Sequence, residues 1–179
     1  MKKLIVMLLS VLLVFSLSVM ALADGTTTLT TNVPTANYTL SIPAGTAIAY
    51  GKEDNTIGTI TVEDAENFAE GKNIEVTVTY TAFKNAAAND SIPIRMEASY
   101  YFNSSDSYTQ KLDSGTVLTF KGNASGTVDK LAAADNGGAE TSKATLEGLH
   151  VLIDSADWGK ASAGDYTATI TFTSEVVKG

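Results

Sequence analysis

A period-two alternation of apolar and polar residues near the carboxyl end constrains the fold more than any other feature. Within residues 163–177 the even positions include Tyr166, Ile170 and Phe172, whereas the odd positions are mostly threonine. This alternation is typical of a strand with one buried face, because successive side chains point to opposite faces of a sheet. A strand also needs partners for its backbone N–H and C=O groups. The segment therefore predicts a sheet built from the preceding chain, with residues 163–177 as a core strand.

Two earlier segments, residues 74–82 and 92–102, show the same alternation and are candidate partners for the closing strand. Residues 146–153 are almost continuously apolar, which favours a strand buried on both faces or crossing between layers. Shorter strands, separated by turn residues, are predicted at residues 26–33, 38–42, 48–50, 57–62, 108–112 and 116–120. Many short strands without a long helix predict an all-β fold, an antiparallel β-sandwich of immunoglobulin-like or jelly-roll topology.

Two segments do not fit the strand pattern. Residues 63–70 are acidic and alanine-containing and precede Gly71, so a single helical turn is expected there. Residues 121–143 are rich in alanine, glycine and asparagine and include Asn136-Gly137-Gly138. This composition predicts an exposed connection with at most one helical turn, at residues 129–134.

The amino end has the pattern of a secretory signal peptide. Two lysines near the start are followed by an apolar run, residues 4–20, and by Ala21-Leu22-Ala23, a small-x-small cleavage site. An uncleaved membrane anchor is the alternative, but no basic stop-transfer residues follow the Ala-x-Ala ending. We therefore predict a signal peptide at residues 1–23 and a single domain at residues 24–179.

Charge and cysteine content narrow the partners and the compartment. The chain has 12 basic and 20 acidic residues, a formal net charge of −8, and no cysteine. An acidic surface repels phosphate backbones and anionic lipid headgroups, so nucleic acid and, after signal cleavage, the membrane are not expected partners. Export without disulfides favours a bacterial protein that is secreted, either extracellular or associated with the cell surface.

No residue pattern predicts catalysis. A Ser-His-Asp arrangement would need His150, the only histidine, with Asp154 and Ser155, but its apolar surroundings favour a structural or surface role. One histidine and no cysteine argue against zinc, and the oxygen-rich loops lack the spacing of a calcium-binding loop. We expect no enzyme, no cofactor and no metal site.

Exposed aromatic residues are the candidates for ligand contact. Alternation places Tyr100 and Phe102 in the core, and leaves Tyr101 and Tyr108 around a serine-rich turn, where they could stack on sugar rings. Packing in the core or at a sheet edge is the favoured alternative for both. Trp158 lies in a loop and is either a plug over the open end of the sandwich or a ligand contact; the plug is favoured.

Four segments resemble small secreted surface proteins of Gram-positive bacteria: residues 38–44, 57–62, 71–78 and 157–172. The closing Gly164-Asp165-Tyr166-Thr167 segment is also similar to the terminal strand of spore-coat-like pilins and of WxL cell-wall-binding proteins. The resemblance implies a β-sandwich used for adhesion, coat formation or filament assembly, without enzymatic activity. Trp158 is followed by Gly159 and Lys160, so the Trp-x-Leu motif is missing and peptidoglycan binding of that kind is not implied.

The threonine-rich segment at residues 26–33 is the least apolar predicted strand, and Pro34 ends it. Such a strand could add to an exposed sheet edge of a neighbouring copy. Its candidate assembly residues are Thr28, Leu29, Thr31 and Val33. The sequence thus favours a secreted bacterial surface protein with a structural or adhesive role, self-assembling or bound to a surface polymer. The alternative is a non-catalytic module that binds a glycan or cell-wall polymer through Tyr101, Tyr108 and Trp158.

Overall fold

The part of the chain that the structure describes is dominated by β-strands. A computed structural model describes residues 31, 35–68, 71–103, 106–133 and 136–179. The predicted signal peptide and the candidate assembly residues Thr28, Leu29 and Val33 lie outside the described residues, and Thr31 is exposed. No helix among these residues has the length and apolar content needed to cross a bilayer.

Twelve strands and one short helix make up the described elements. In chain order they are β1 (Asn37–Ser41), β2 (Asp54–Glu66), β3 (Lys72–Tyr80), β4 (Phe83–Asn85), β5 (Asp90–Ile92), β6 (Arg95–Asn103), β7 (Asp106–Leu112), β8 (Thr116–Gly122), β9 (Val128–Ala133), β10 (Ala139–Glu140), β11 (Thr145–Leu152), α1 (Ser155–Trp158) and β12 (Ile170–Lys178). One five-stranded sheet has the order β1-β2-β11-β6-β7, and the other has the order β10-β9-β8-β3-β12. Strands β4 and β5 form a separate hairpin, and all pairings are antiparallel.

The inner faces of the two sheets share one hydrophobic core. Ile74, Val76 and Val78 of β3 are completely buried, as their alternation predicted, and Met96 and Ala98 of β6, in the other sheet, are buried in the same core. The predicted all-β antiparallel sandwich is therefore confirmed. The choice between immunoglobulin-like and jelly-roll topology stays a prediction.

The apolar run in β11 is explained by a bulge. Leu146, Leu149 and Val151 are all buried, although the first is at an even position and the others are at odd positions. The pairing register with β2 shifts between Leu146 and Leu149, so one extra residue switches which positions face the core. Strand β11 is a central strand, between β2 and β6, but the prediction of burial on both faces is wrong, because Glu147 is exposed and His150 and Leu152 are half-buried.

Three local predictions are wrong. The acidic segment after Val62 is no helical turn, because β2 continues to Glu66 and pairs with β1, while its acidic side chains are exposed. The segment at residues 121–143 is no simple exposed connection, because it contains β9 and β10, and Leu131 and Ala133 are completely buried. Residues 48–50 form no strand.

The closing segment is an edge strand. Only residues 170–178 form β12, which pairs with β3 on one side and has no partner strand among the described residues on the other. Its even residues Ile170 and Phe172 are half-buried against the core, and Val176 is 40% exposed. The predicted inward face is right near the start of the strand, but the expectation of a core strand is wrong about its place in the sheet.

A substitution at Gly122 can test the packing of the second sheet. A Cβ at Gly122 would clash with the Lys72 carbonyl oxygen, whereas a Cβ at Gly45 would meet nothing within 4 Å. We predict that Gly122→Ala lowers the free energy of unfolding by about 1–3 kcal/mol, because the β3–β8 pair must shift. Chemical denaturation measures this, with Gly45→Ala as the control; equal stability of the two variants would contradict the packing.

Candidate functional site

A side-chain hydrogen bond links the two sheets on one side of the sandwich. Strands β1 and β12 are edge strands of opposite sheets, and the Tyr38 hydroxyl donates a hydrogen bond to Ser174 Oγ at 2.8 Å. Towards the start of β12 this contact is not repeated among the described residues. There the chain leaves β1 as an irregular segment, residues 42–50, that runs across the opening.

The opening holds an apolar groove of about 300 Å³, which we call the edge groove. Most of its apolar lining is half-buried or exposed, namely Ile42, Ile48, Ile57, Phe83, Ile94, Ile170 and Phe172. Val151 also lines the groove and is buried. Gly58 allows the irregular segment to approach β2, because it has φ +139° and a Cβ there would lie 3.2 Å from Pro43 Cβ. Ile42 is 49% exposed at the rim of the groove.

On the side of the edge groove, β12 has backbone N–H and C=O groups that no described strand pairs with. Odd-numbered residues at both ends of the ladder bond towards β3: Thr169 accepts from the Thr81 N–H, and the Gly179 N–H donates to the Gly71 carbonyl. Backbone groups alternate in direction along a strand, so the even-numbered residues of β12 direct their N–H and C=O groups outwards. The described chain supplies no backbone partner for them.

The other three outer sheet edges are shorter or irregular. Strand β10 has two residues and β1 has five, with a register shift between Asn37 and Thr39. The β6–β7 pair shifts register between Tyr101 and Asn103. Strand β12 has nine residues, no register shift, no proline, and lysine only at its last position. Short strands, bulges, proline and lysine are the devices that protect edges from pairing, and β12 has almost none of them.

A second cavity, of about 560 Å³, adjoins the edge groove, with which it shares Thr46, Ile48 and Phe83. We call it the aromatic cleft, and its lining includes Thr46, Tyr50, Phe83, Ile92, Trp158, Ser162, Asp165 and Tyr166. The rings of Tyr50 and Trp158 meet edge to face, with centroids 5.3 Å apart. Trp158 Nε1 donates a hydrogen bond to the Lys52 carbonyl at 3.2 Å, which fixes the indole on the turn after the irregular segment.

Asp90 fixes the loop that forms the far wall of the aromatic cleft. Its Oδ2 atom accepts hydrogen bonds from the Ser162 N–H at 2.8 Å and from the Tyr166 hydroxyl at 2.7 Å. These bonds, the Ser162 N–H first, together with the Ser91 N–H, lower the pKa of Asp90 from 3.8 to about 2. Burial, and then the Asp90 carboxylate, raise the pKa of Tyr166.

A second clamp holds the same loop. The Asn85 side chain donates to the Ala163 carbonyl at 3.4 Å, and its Oδ1 accepts the N–H groups of Ala87 and Ala88. Gly164 has φ +138°, and a Cβ there would lie 2.5 Å from Asn85 Nδ2. Only glycine fits this position without displacing Asn85. The wall of the cleft is therefore held in place by contacts within the protein itself.

The three aromatic residues predicted for glycan contact do not come together. Tyr108 is paired with Tyr100 and faces the core, whereas Tyr101 is paired with Ser107, points to the outer face and is 45% exposed. Trp158 follows β11 beyond Leu152, which pairs with Arg95 at the opposite end of β6 from Tyr101. Trp158 is half-buried, as expected of a plug, but it also lines an open cleft.

Sequence reasoning missed Tyr50, Asp90 and Tyr166 as site residues. Tyr50 stands in a polar turn, and the partners of Asp90 are 72 and 76 residues away in the chain. No local pattern links such residues. The signal that the sequence offered for this site was an aromatic residue next to a turn glycine, Tyr50-Gly51.

The described structure does not assemble the Ser-His-Asp arrangement. Nδ1 of His150 lies 2.8 Å from Asp54 Oδ1, and Asp154 forms an ion pair with Arg95 at 2.8 Å. No hydrogen bond joins the side chains of His150 and Ser155 in the described part of the chain. Over the same residues, no group of three or more histidine, aspartate or glutamate side chains is arranged to hold a metal ion.

Comparisons of the chain with protein-family models, with curated proteins and with solved structures find no match in any of the three.

The pKa of Asp90 makes the loop sensitive to acid. Because its folded pKa is lower than its unfolded value, the carboxylate stabilises the loop above about pH 4, and this stabilisation is lost as the pH falls towards 2. We predict a change in Trp158 fluorescence over that range, with a smaller change in Asp90→Asn. Asp129→Asn, an exposed carboxylate on β9, is the control; wild-type behaviour of Asp90→Asn would contradict the clamp.

Proposed function

We propose that this chain is a secreted bacterial surface protein with a structural or adhesive role, and that it acts as a self-assembling subunit. In this proposal residues 26–33 of one copy add as a strand to the outer edge of β12 in the next copy. The observation that carries the proposal is the regular edge of β12, unpaired within the described part of the chain, beside the apolar edge groove. Secretion rests on the pattern of residues 1–23, and a catalytic role is not part of the proposal.

Backbone pairing supplies the attraction at this edge. Five even-numbered residues of β12, Ile170 to Lys178, offer outward N–H and C=O groups that a strand of similar length can satisfy. Residues 26–33 match that length. Each new backbone pair replaces a solvated edge by an extended ladder, and the second sheet gains a sixth strand.

Side-chain chemistry supports the same pairing. Residues 26–33 carry no charge, so they bring no repulsion to an acidic protein, and their threonines suit the threonine-rich outer face of β12. Leu29 and Val33 fall on one side of the segment, and that side would cover the half-buried Ile170 and Phe172 at the edge groove. Thr28 and Thr31 lie on opposite sides of the added strand.

Deletion of the donor segment is the first test. The chain from residue 24 is expected to form linear oligomers whose mass grows with concentration in light scattering, and the chain from residue 34 is expected to stay monomeric. The physical reason is that the second chain keeps the acceptor edge but lacks the strand that fills it. A monomer at every concentration for the chain from residue 24 would exclude the proposal.

A substitution at the acceptor is the second test. Ile42→Lys places a charge at the rim of the edge groove, where the side chain is 49% exposed, so the fold should tolerate it. We predict that this variant assembles more weakly. Val117→Lys makes the same kind of change at a 39% exposed position on β8 and should assemble like the wild type. Equal assembly of both variants would show that the edge groove is not the acceptor.

A further inference from the structure

We propose that the aromatic cleft binds a neutral oligosaccharide, with a pyranose ring against Tyr50 and Trp158. This site is independent of the strand addition at β12. It also differs from a site built on Tyr101 of β6 and Tyr108 of β7, which lie at the far end of this strand pair and on opposite faces of the sheet.

The exposure of Tyr50 is the first observation. Its side chain is 79% exposed, although its ring is held against Trp158, and its hydroxyl makes no hydrogen bond to the described chain. A plug would bury its aromatic rings, whereas Tyr50 keeps most of its surface in solvent. Aromatic faces carry negative partial charge and attract the weakly positive C–H groups on the flat side of a sugar ring.

Preorganisation is the second observation. The Lys52 carbonyl orients the indole, Asp90 holds Ser162 and Tyr166, and Asn85 holds Ala163. These contacts order a surface loop from three directions. A rigid cleft loses little conformational entropy when a ligand binds, so a weak class of contacts can give measurable affinity.

The polar groups and charges of the cleft select the class of ligand. Thr46 and Ser162 line the cleft with hydroxyl-bearing side chains, and Asp165, exposed and free of ion pairs in the described chain, adds carboxylate acceptors for sugar hydroxyls. No lysine or arginine belongs to its described lining, and the chain is acidic overall. Phosphate- and carboxylate-bearing polymers would be repelled, which favours neutral over anionic glycans. The volume of about 560 Å³ is in the usual range for small-ligand sites.

Trp158 is the only tryptophan of the chain, so its fluorescence reports on this cleft alone. The experiment titrates the chain from residue 34, which lacks the proposed donor segment, with cellohexaose, maltohexaose and chitohexaose. The expected result is a saturable change in emission with at least one of these neutral oligosaccharides at millimolar concentration or below. No saturable change with any of the three overturns the proposal.

Matched variants locate the binding. Tyr50→Ala should weaken the oligosaccharide about tenfold, since one stacking face is lost. Tyr101→Ala removes an exposed tyrosine far from the cleft and should bind like the wild type. Tyr50→Phe keeps the ring and should retain most of the affinity, which separates loss of stacking from misfolding. Equal affinities of Tyr50→Ala and Tyr101→Ala would overturn the proposal, even if the protein bound the sugar.

Ile42→Lys should leave sugar binding unchanged, so a failure of strand addition and a failure of this site are distinguishable.

Discussion

The one-sided hydrogen bonding of β12 is the constraint on which the functional account depends. On its inner side the strand completes a regular ladder with β3, whose buried residues form the middle of the core. On its outer side the even-numbered backbone groups have no backbone partner among the residues that the structure describes. An edge that combines nine regular residues with an adjacent apolar groove is a template for another strand, and proteins that do not use such an edge normally interrupt it.

The irregular segment between β1 and β2 connects the two candidate sites. After Ser41 the chain stops pairing with β2 and crosses the open side of the sandwich, where Pro43 packs against Gly58. Its first half forms the rim of the edge groove, and its second half brings Tyr50 to Trp158. One departure from regular sheet structure therefore exposes the groove and also builds the aromatic cleft. A structural subunit with a sugar-binding cleft on each copy would present that cleft repeatedly along an assembly.

Much of the fold could be predicted because period-two alternation reports directly on a half-buried sheet. Ile74, Val76 and Val78 show this, and so do Met96 and Ala98. Strand β9 was missed since its alanines resemble those of a loop, yet small side chains fit where the sheets pack closely. The extension of β2 was missed because glutamates there face solvent. The edge position of β12 depends on pairing between strands that are distant in the sequence, and local alternation does not predict that pairing.

The site was less predictable than the fold. Trp158 was recognised as a single aromatic in a loop, but Tyr50 is about a hundred residues earlier and Asp90 acts through partners that only the tertiary structure supplies. Hydrogen exchange at β12 tests the central claim most directly. As the chain from residue 24 assembles, the amides of Phe172, Ser174 and Val176 should change from fast to slow exchange, while those of the odd-numbered residues, already bonded to β3, stay slow. Fast exchange at these even-numbered amides in the assembled protein would contradict the account.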